Sequence, residues 1–358
     1  MRTPAGGASD AAAIGQLAIF VVSVALGYLV VLNRETIVPD HFYADGFFIQ
    51  AIALGTADGD VKYTNTAAVY AALGLAENPL LASLLGYTAA VVVLAAVWVQ
   101  LRHWPRGWAA TATTALAVLL SAVYLGWYSK DVLVLAVAIV FLVARPGRIG
   151  WLVCLATSLA YAWLFRDYWF LVAALFAGIS LVARGLTLAR AILVALAATA
   201  AASIAIVVGL GASADAFRTG VNESRIGMDV GTIITPFVAL PEPLGGIVNN
   251  VLTLVALWVP VPVALSGGAY YLAIAAIIFA LWVLFASAVR RGLDARTARA
   301  VALVVSFVAV QAVFEPDYGS ALRHLTPLLP LFVWVIWRSR GAARAVRVTE
   351  DSRAASAG

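Results

Sequence analysis

Residues 14–33 read IGQLAIFVVSVALGYLVVLN, twenty positions without one charged side chain. A helix of that length rises about 30 Å, the thickness of a bilayer's hydrocarbon core. It ends in Leu32-Asn33-Arg34 with no small-x-small cleavage site, so it reads as an uncleaved anchor and not a secretory leader. The pattern then recurs along the chain, near 79–101, 108–128, 131–144, 150–165, 168–183, 190–211, 269–289, 298–314 and 325–337. Of 358 residues, 63% are apolar and 11% charged, whereas about 25% of a soluble domain is charged. The expected fold is all-α: a polytopic membrane helical bundle of about ten transmembrane helices. Residues 1–13 are expected as a cytoplasmic tail, 14–338 as a single transmembrane domain and 339–358 as a disordered cytoplasmic tail. Cys154 is the only cysteine, which leaves no internal disulfide to form.

Ten spans put both termini on one side, and the basic residues choose that side. The segments assigned inside hold 16 of the 23 lysines and arginines but only four acids, Asp10, Asp294, Glu350 and Asp351. An error of one crossing would scramble this separation, so the expected topology is N-in and C-in. The apolar stretch 247–265, interrupted by Pro260 and Pro262, would place Arg290, Arg291, Arg296 and Arg299 outside if it crossed fully. It is therefore read as re-entrant or interfacial. Two outer loops are large, 34–78 and 212–268. No inner loop is long enough to fold, and no phosphate-binding glycine loop with lysine occurs, which excludes an ATP-driven pump on this chain. Nothing points to nucleic acid. Two lysines against 21 arginines suggest a GC-rich bacterial genome, so the expected location is the bacterial plasma (inner) membrane.

The spacing of charge suggests a site. Fifteen residues separate Lys130 from Arg145 and Arg323 from Arg338, and sixteen separate Arg299 from Glu315. Helices of that size rise only about 22–24 Å, short of the hydrocarbon core. With the inner arginines at the interface, Lys130, Asp131, Arg166, Asp167, Glu315, Asp317, Arg323 and His324 would sink below the outer surface. Charges at such depth face one another or water, which predicts an outward-facing, charge-lined cavity. The structural alternative is snorkelling and salt bridges that staple helices together.

The outer bases are Lys62, Lys130, Arg34, Arg166, Arg218, Arg225 and Arg323. Guanidinium groups suit phosphate and diphosphate oxygens, and neighbouring carboxylates can accept a hydroxyl proton. Together they fit transfer of a sugar from a polyprenyl phosphate or diphosphate to an acceptor hydroxyl. Asp58-Gly59-Asp60 is read as a turn and not as a metal motif. Asp40, His41 and Asp45 could hold a divalent metal, although a solvated loop explains them too; no other cofactor is expected.

The loop Glu315-Pro316-Asp317-Tyr318-Gly319-Ser320-Ala321-Leu322-Arg323-His324-Leu325-Thr326-Pro327 is the most specific piece of sequence. With Ser129-Lys130-Asp131 and Arg166-Asp167-Tyr168 it resembles bacterial repeat-unit polymerases of capsule, exopolysaccharide and O-antigen synthesis. The resemblance covers some 50 residues in three patches. It implies a polyprenyl-(di)phosphate-linked saccharide as donor, membrane lipids as surroundings and other envelope polysaccharide assembly proteins as partners. Phosphate would fall to Lys130, Arg166, Arg218, Arg225 and Arg323. The chain is short for that family, and its acidic first loop is more similar to GT-C lipid-phosphate-sugar glycosyltransferases, whose base is an Asp after the first span. The catalytic candidates are thus Asp40, Asp45, Glu315, Asp317 and His324. Two other classes stay open: a transporter or flippase for a lipid-linked glycan or anionic solute, and a non-catalytic membrane assembly subunit.

Overall fold

The computed structural model describes residues 7–101, 107–182, 187–223, 232–290 and 293–338, with backbone alone at 7–10, 40, 41 and 182. Among these residues the secondary structure is helical, apart from one isolated antiparallel bridge between Ile233 and Asp317. The expected tail beyond 338 and the candidate Arg225 lie outside the described residues. The helices are α1 Gly7–Leu32, α2 Arg34–Ile37, α3 Ala44–Ala53, α4 Val61–Ala72, α5 Pro79–Gln100, α6 Trp108–Tyr124, α7 Lys130–Val143, α8 Arg148–Leu164 and α9 Trp169–Val182. They continue as α10 Leu188–Leu210, α11 Ala216–Glu223, α12 Leu244–Trp258, α13 Val261–Leu265, α14 Ala269–Val289, α15 Ala295–Phe314 and α16 Tyr318–Leu325. Last comes α17, 329–338.

Each of the ten expected spans meets a helix. Six stretches are long and apolar enough to cross a membrane: Ala11–Leu32, Pro79–Gln100, Leu188–Leu210, Ala269–Val289, Ala295–Phe314 and Tyr318–Arg338. The protein is thus a multi-pass helical membrane protein. The helices α6, α8 and α9 are apolar but shorter, at 17, 17 and 14 residues.

Two compact units divide the chain, one of residues 1–142 with 326–358, the other of residues 143–325. In the first, α1 packs against α5 and α6. Gly27 allows this close approach: a Cβ there would strike the Tyr87 ring, whose hydroxyl donates to the Val24 carbonyl at 2.9 Å. The helices α3 and α4 pair as a hairpin. Asp60 starts α4 by accepting from the Lys62 and Tyr63 amides at 2.8 and 2.9 Å, so the Asp-Gly-Asp stretch is a turn and helix cap.

In the second unit α15 is the hub, touching α9, α10, α11 and α12, and from Thr297 to Val313 only Ala298 is not buried. It runs parallel to α10, since Thr199 bonds the Ala309 carbonyl at 3.3 Å and Ile206 packs on Val313. The helix α12 descends against both. Asn250 donates to Ser203 Oγ at 3.0 Å and to the Ala214 carbonyl at 2.9 Å, and Leu257 lines a small space together with Ile278 and Val308. The helix ends there, halfway along α15, because Pro260 and Pro262 supply no amide and Val259, before a proline, leaves the helical region with φ −126° and ψ 84°. After α13, Gly267 and Gly268 take φ of 78° and 84°, a left-handed pair that only glycine holds without strain. The chain then enters α14. Residues 247–265 therefore hold no single continuous helix: α12 stops at Trp258 and the short α13 follows.

One expectation is corrected. The helix bearing Arg299 is not short: it begins at Ala295 and is 20 residues long. Arg299 is no interface anchor either. It is buried, and its Nη1 and Nη2 donate to the Arg145 and Ala144 carbonyls at 3.1 and 2.7 Å. It satisfies acceptors left open beyond the end of α7, so its distance from Glu315 measures no membrane thickness.

Candidate functional site

The second unit gathers charge where the chain leaves α15. Glu315 follows the last residue of that helix, and α16 carries Arg323 and His324 in its final turn. The connection is pinned on both sides. Ile234 donates to the Pro316 carbonyl at 2.8 Å and Tyr318 to the Thr232 carbonyl at 3.0 Å, tying the loop to the outer segment 212–268. Asp317 Oδ1 accepts the Ser320 amide at 2.7 Å, and Gln311 donates to the Ala321 carbonyl at 2.8 Å.

His324 is the centre of the cluster. Its Nδ1 lies 2.5 Å from Glu315 Oε1, while Nε2 lies 2.9 Å from Arg166 Nη1 and 3.2 Å from Arg323 Nη2. Guanidinium nitrogens only donate, so Nε2 presents its lone pair and the proton sits on Nδ1, donated to Glu315. Glu315 and His324 are buried, at 3% and 7% exposure, while both arginines are partly open. Burial alone would raise the Glu315 pKa. The electrostatic interaction and hydrogen bond with His324, together with Ser320 and Arg166, outweigh it and hold the carboxyl below its ordinary value. Arg166 also donates to the Tyr168 hydroxyl at 3.3 Å, and the Tyr168 ring stacks on Phe314 at 6.0 Å.

Of the eight residues expected to sink below the surface, Arg166, Glu315, Arg323 and His324 thus converge, with His324 joining the other three. Asp317 is buried beside them and serves the α16 start. Asp167 is exposed. Arg218 has a different environment. It is 1% exposed, donates to Thr253 Oγ1 at 2.9 Å and the Ala312 carbonyl at 3.0 Å, and faces Asp215 at 3.8 Å. Burial lowers its pKa, opposed by Asp215 and Tyr318. This is a clamp joining α11, α12 and α15.

Lys130 and the acids of the first loop belong to the first unit. The Lys130 ammonium sits 3.1 Å from the centre of the Tyr63 ring, and the Tyr63 hydroxyl donates to Asp45 at 3.2 Å. Asp131 is buried, accepts from Ser129 Oγ at 3.1 Å, and the Ser129 backbone is tied to Tyr70. The side chains of Asp40 and His41 lie outside the described residues, and among the described ones no group of three potential ligands could hold a metal.

Sequence reasoning missed two cations. Arg34 is buried against Tyr43 and Trp127, 4.0 and 4.5 Å from their ring centres. Burial lowers its pKa, opposed by Tyr43 and Glu35; the nearby Phe42, Tyr43, Phe47 and Phe48 were the available signal for a cation–π seat. Arg299 gave no signal, because the carbonyls it serves lie some 150 residues away. No family model, curated protein or solved structure matches the chain.

Proposed function

We propose that the protein is an integral membrane glycosyltransferase of the polymerase type, acting on the outer face of a bacterial inner membrane in cell-envelope polysaccharide synthesis. In this reading ten segments reach across the bilayer with both termini cytoplasmic. The substrate is a saccharide on a polyprenyl phosphate or diphosphate such as undecaprenyl diphosphate, and the acceptor is a sugar hydroxyl. The observation that carries the reading is the pair of guanidinium groups on one imidazole nitrogen, with a carboxylate behind the ring.

Arg166 and Arg323 supply planar donors for phosphate oxygens. When they turn to the donor's phosphate, His324 Nε2 is released as an acceptor. The acceptor hydroxyl gives its proton to Nε2 as its oxygen bonds to the anomeric carbon. The bond from that carbon to the phosphate oxygen breaks, and its electron pair leaves on the phosphate. Both arginines face that growing charge, and Glu315 stabilises the imidazolium, the part a buried carboxylate plays in a catalytic triad.

The test is transfer in proteoliposomes loaded with a polyprenyl diphosphate oligosaccharide. His324→Gln and Arg166→Lys should each cut turnover by about 100-fold or more while the protein folds. Full turnover by both variants would sink the assignment. Uptake of label across the bilayer without any new glycosidic bond would favour a transporter, which the break between α12 and α13 also suits.

A further inference from the structure

Beneath the end of α12, the second unit contains a cavity of about 210 Å³. Its walls are α10, α14 and α15, with Trp258 and Val259 as the roof. The cavity lies where α12 stops, and its described lining comes from α10, α14, α15 and the end of α12. The lining is apolar throughout, and Ile192, Phe279 and Val283 are themselves 38%, 47% and 47% exposed, so the space opens sideways between α10 and α14. Those two helices and α15 are all of membrane-crossing length. The medium at that opening is therefore hydrocarbon. An apolar space of about 150 Å³ already stays dry and takes up a small hydrocarbon, and lipid chains are what surrounds this one.

The end of the cavity supplies a charge. Phe279, Val283 and Ala286 line it at helical spacing along α14, and Arg290 continues that stripe immediately after Val289. Arg290 is exposed. This is the end of the unit opposite the Glu315–His324 cluster, since Val305 rather than Phe314 marks the α15 level of the cavity.

We propose that the cavity holds one acyl chain of an anionic glycerophospholipid whose phosphate is held by Arg290. Apolar fit fixes the chain, and Arg290 makes the choice of head group. The proposal stands whether or not the glycosyltransferase reading does.

Trp258 and Trp282 line the cavity and report on it. Purified full-length protein in detergent is titrated with phosphatidylglycerol or phosphatidylcholine brominated in the acyl chains, which quench indole fluorescence on contact. The expected result is saturable quenching by the phosphatidylglycerol, at least about fivefold tighter than by the phosphatidylcholine at low salt. Arg290→Gln, a surface change, should abolish that preference. Ala191→Leu with Ala286→Leu should fill the space and remove the saturable component; Trp258→Phe with Trp282→Phe should remove its amplitude. Quenching that rises linearly with either lipid and ignores these changes would overturn the site. Saturable quenching that is equal for the two lipids would overturn the anionic occupant.

Discussion

His324 Nδ1 stands 2.5 Å from Glu315 Oε1, and the far side of the same ring faces the guanidinium groups of Arg166 and Arg323. A carboxylate therefore sets the tautomer of an imidazole that in turn sets the position of two cations. Removing any one member disturbs the others, so substitutions within this set will not add.

Glu315 links this arrangement to pH. Its folded pKa lies below the ordinary value of about 4.3. A depressed carboxyl stabilises the fold above its unfolded pKa and loses that contribution as pH falls through the folded one. Thermal midpoints in detergent for the wild type and Glu315→Gln should differ steadily from about pH 8 to 5. The gap should close only below about pH 4. Closure already near neutrality would show that the carboxylate contributes nothing as an ion.

Arg323→Lys separates a phosphate contact from a structural staple. An ammonium keeps the charge but not the planar pair of donors. The variant should fold with an unchanged melting curve and lose transfer by about 100-fold. Retained transfer together with a lower melting temperature for Arg323→Ala would assign Arg323 to packing alone.

Arg218→Ala should act on the fold. It leaves Asp215 uncompensated and the Ala312 carbonyl and Thr253 hydroxyl without this donor. Breaking a buried pair costs about 3–5 kcal/mol. Expression and melting temperature should drop sharply, and any protein that does fold should keep its KM. A stable variant with a raised KM would instead make Arg218 a substrate contact.

Sidedness is open to labelling. Cysteines at the exposed positions Glu223 and Ala295 should react with an impermeant maleimide from opposite sides of the membrane, Glu223→Cys outside and Ala295→Cys inside. The native Cys154 is buried and will stay silent. Reaction of both from one side would break the ten-crossing arrangement.

The helical segments were legible because an apolar run of about twenty residues carries its own message. So was the break near 247–265, where Pro260 and Pro262 interrupt such a run. Arg166, Glu315 and Arg323 stood among the candidates, but the spacing that singled out Glu315 does not hold, because Arg299 is no interface anchor. The hub was not legible. His324 is one of three histidines, and its role comes from what meets it across 158 residues. Arg299 misled for a related reason: an arginine near a helix end looks the same whether it reaches water or caps a neighbouring helix. Sequence spacing along one helix contains no record of such cross-chain partners.

The short α12 also constrains how the protein is made. At 15 residues, with Asn249, Asn250 and Thr253 on its buried face, α12 is too short and too polar to settle in lipid by itself. Ser203 and Ala214, which receive Asn250, are synthesised before it, but Ala312, joined to Thr253 through Arg218, comes some 60 residues later. The ribosome must therefore deliver α14 and α15 before α12 can be seated. A nascent chain arrested after residue 265 should leave this segment accessible to protease, and one arrested well beyond 325 should protect it.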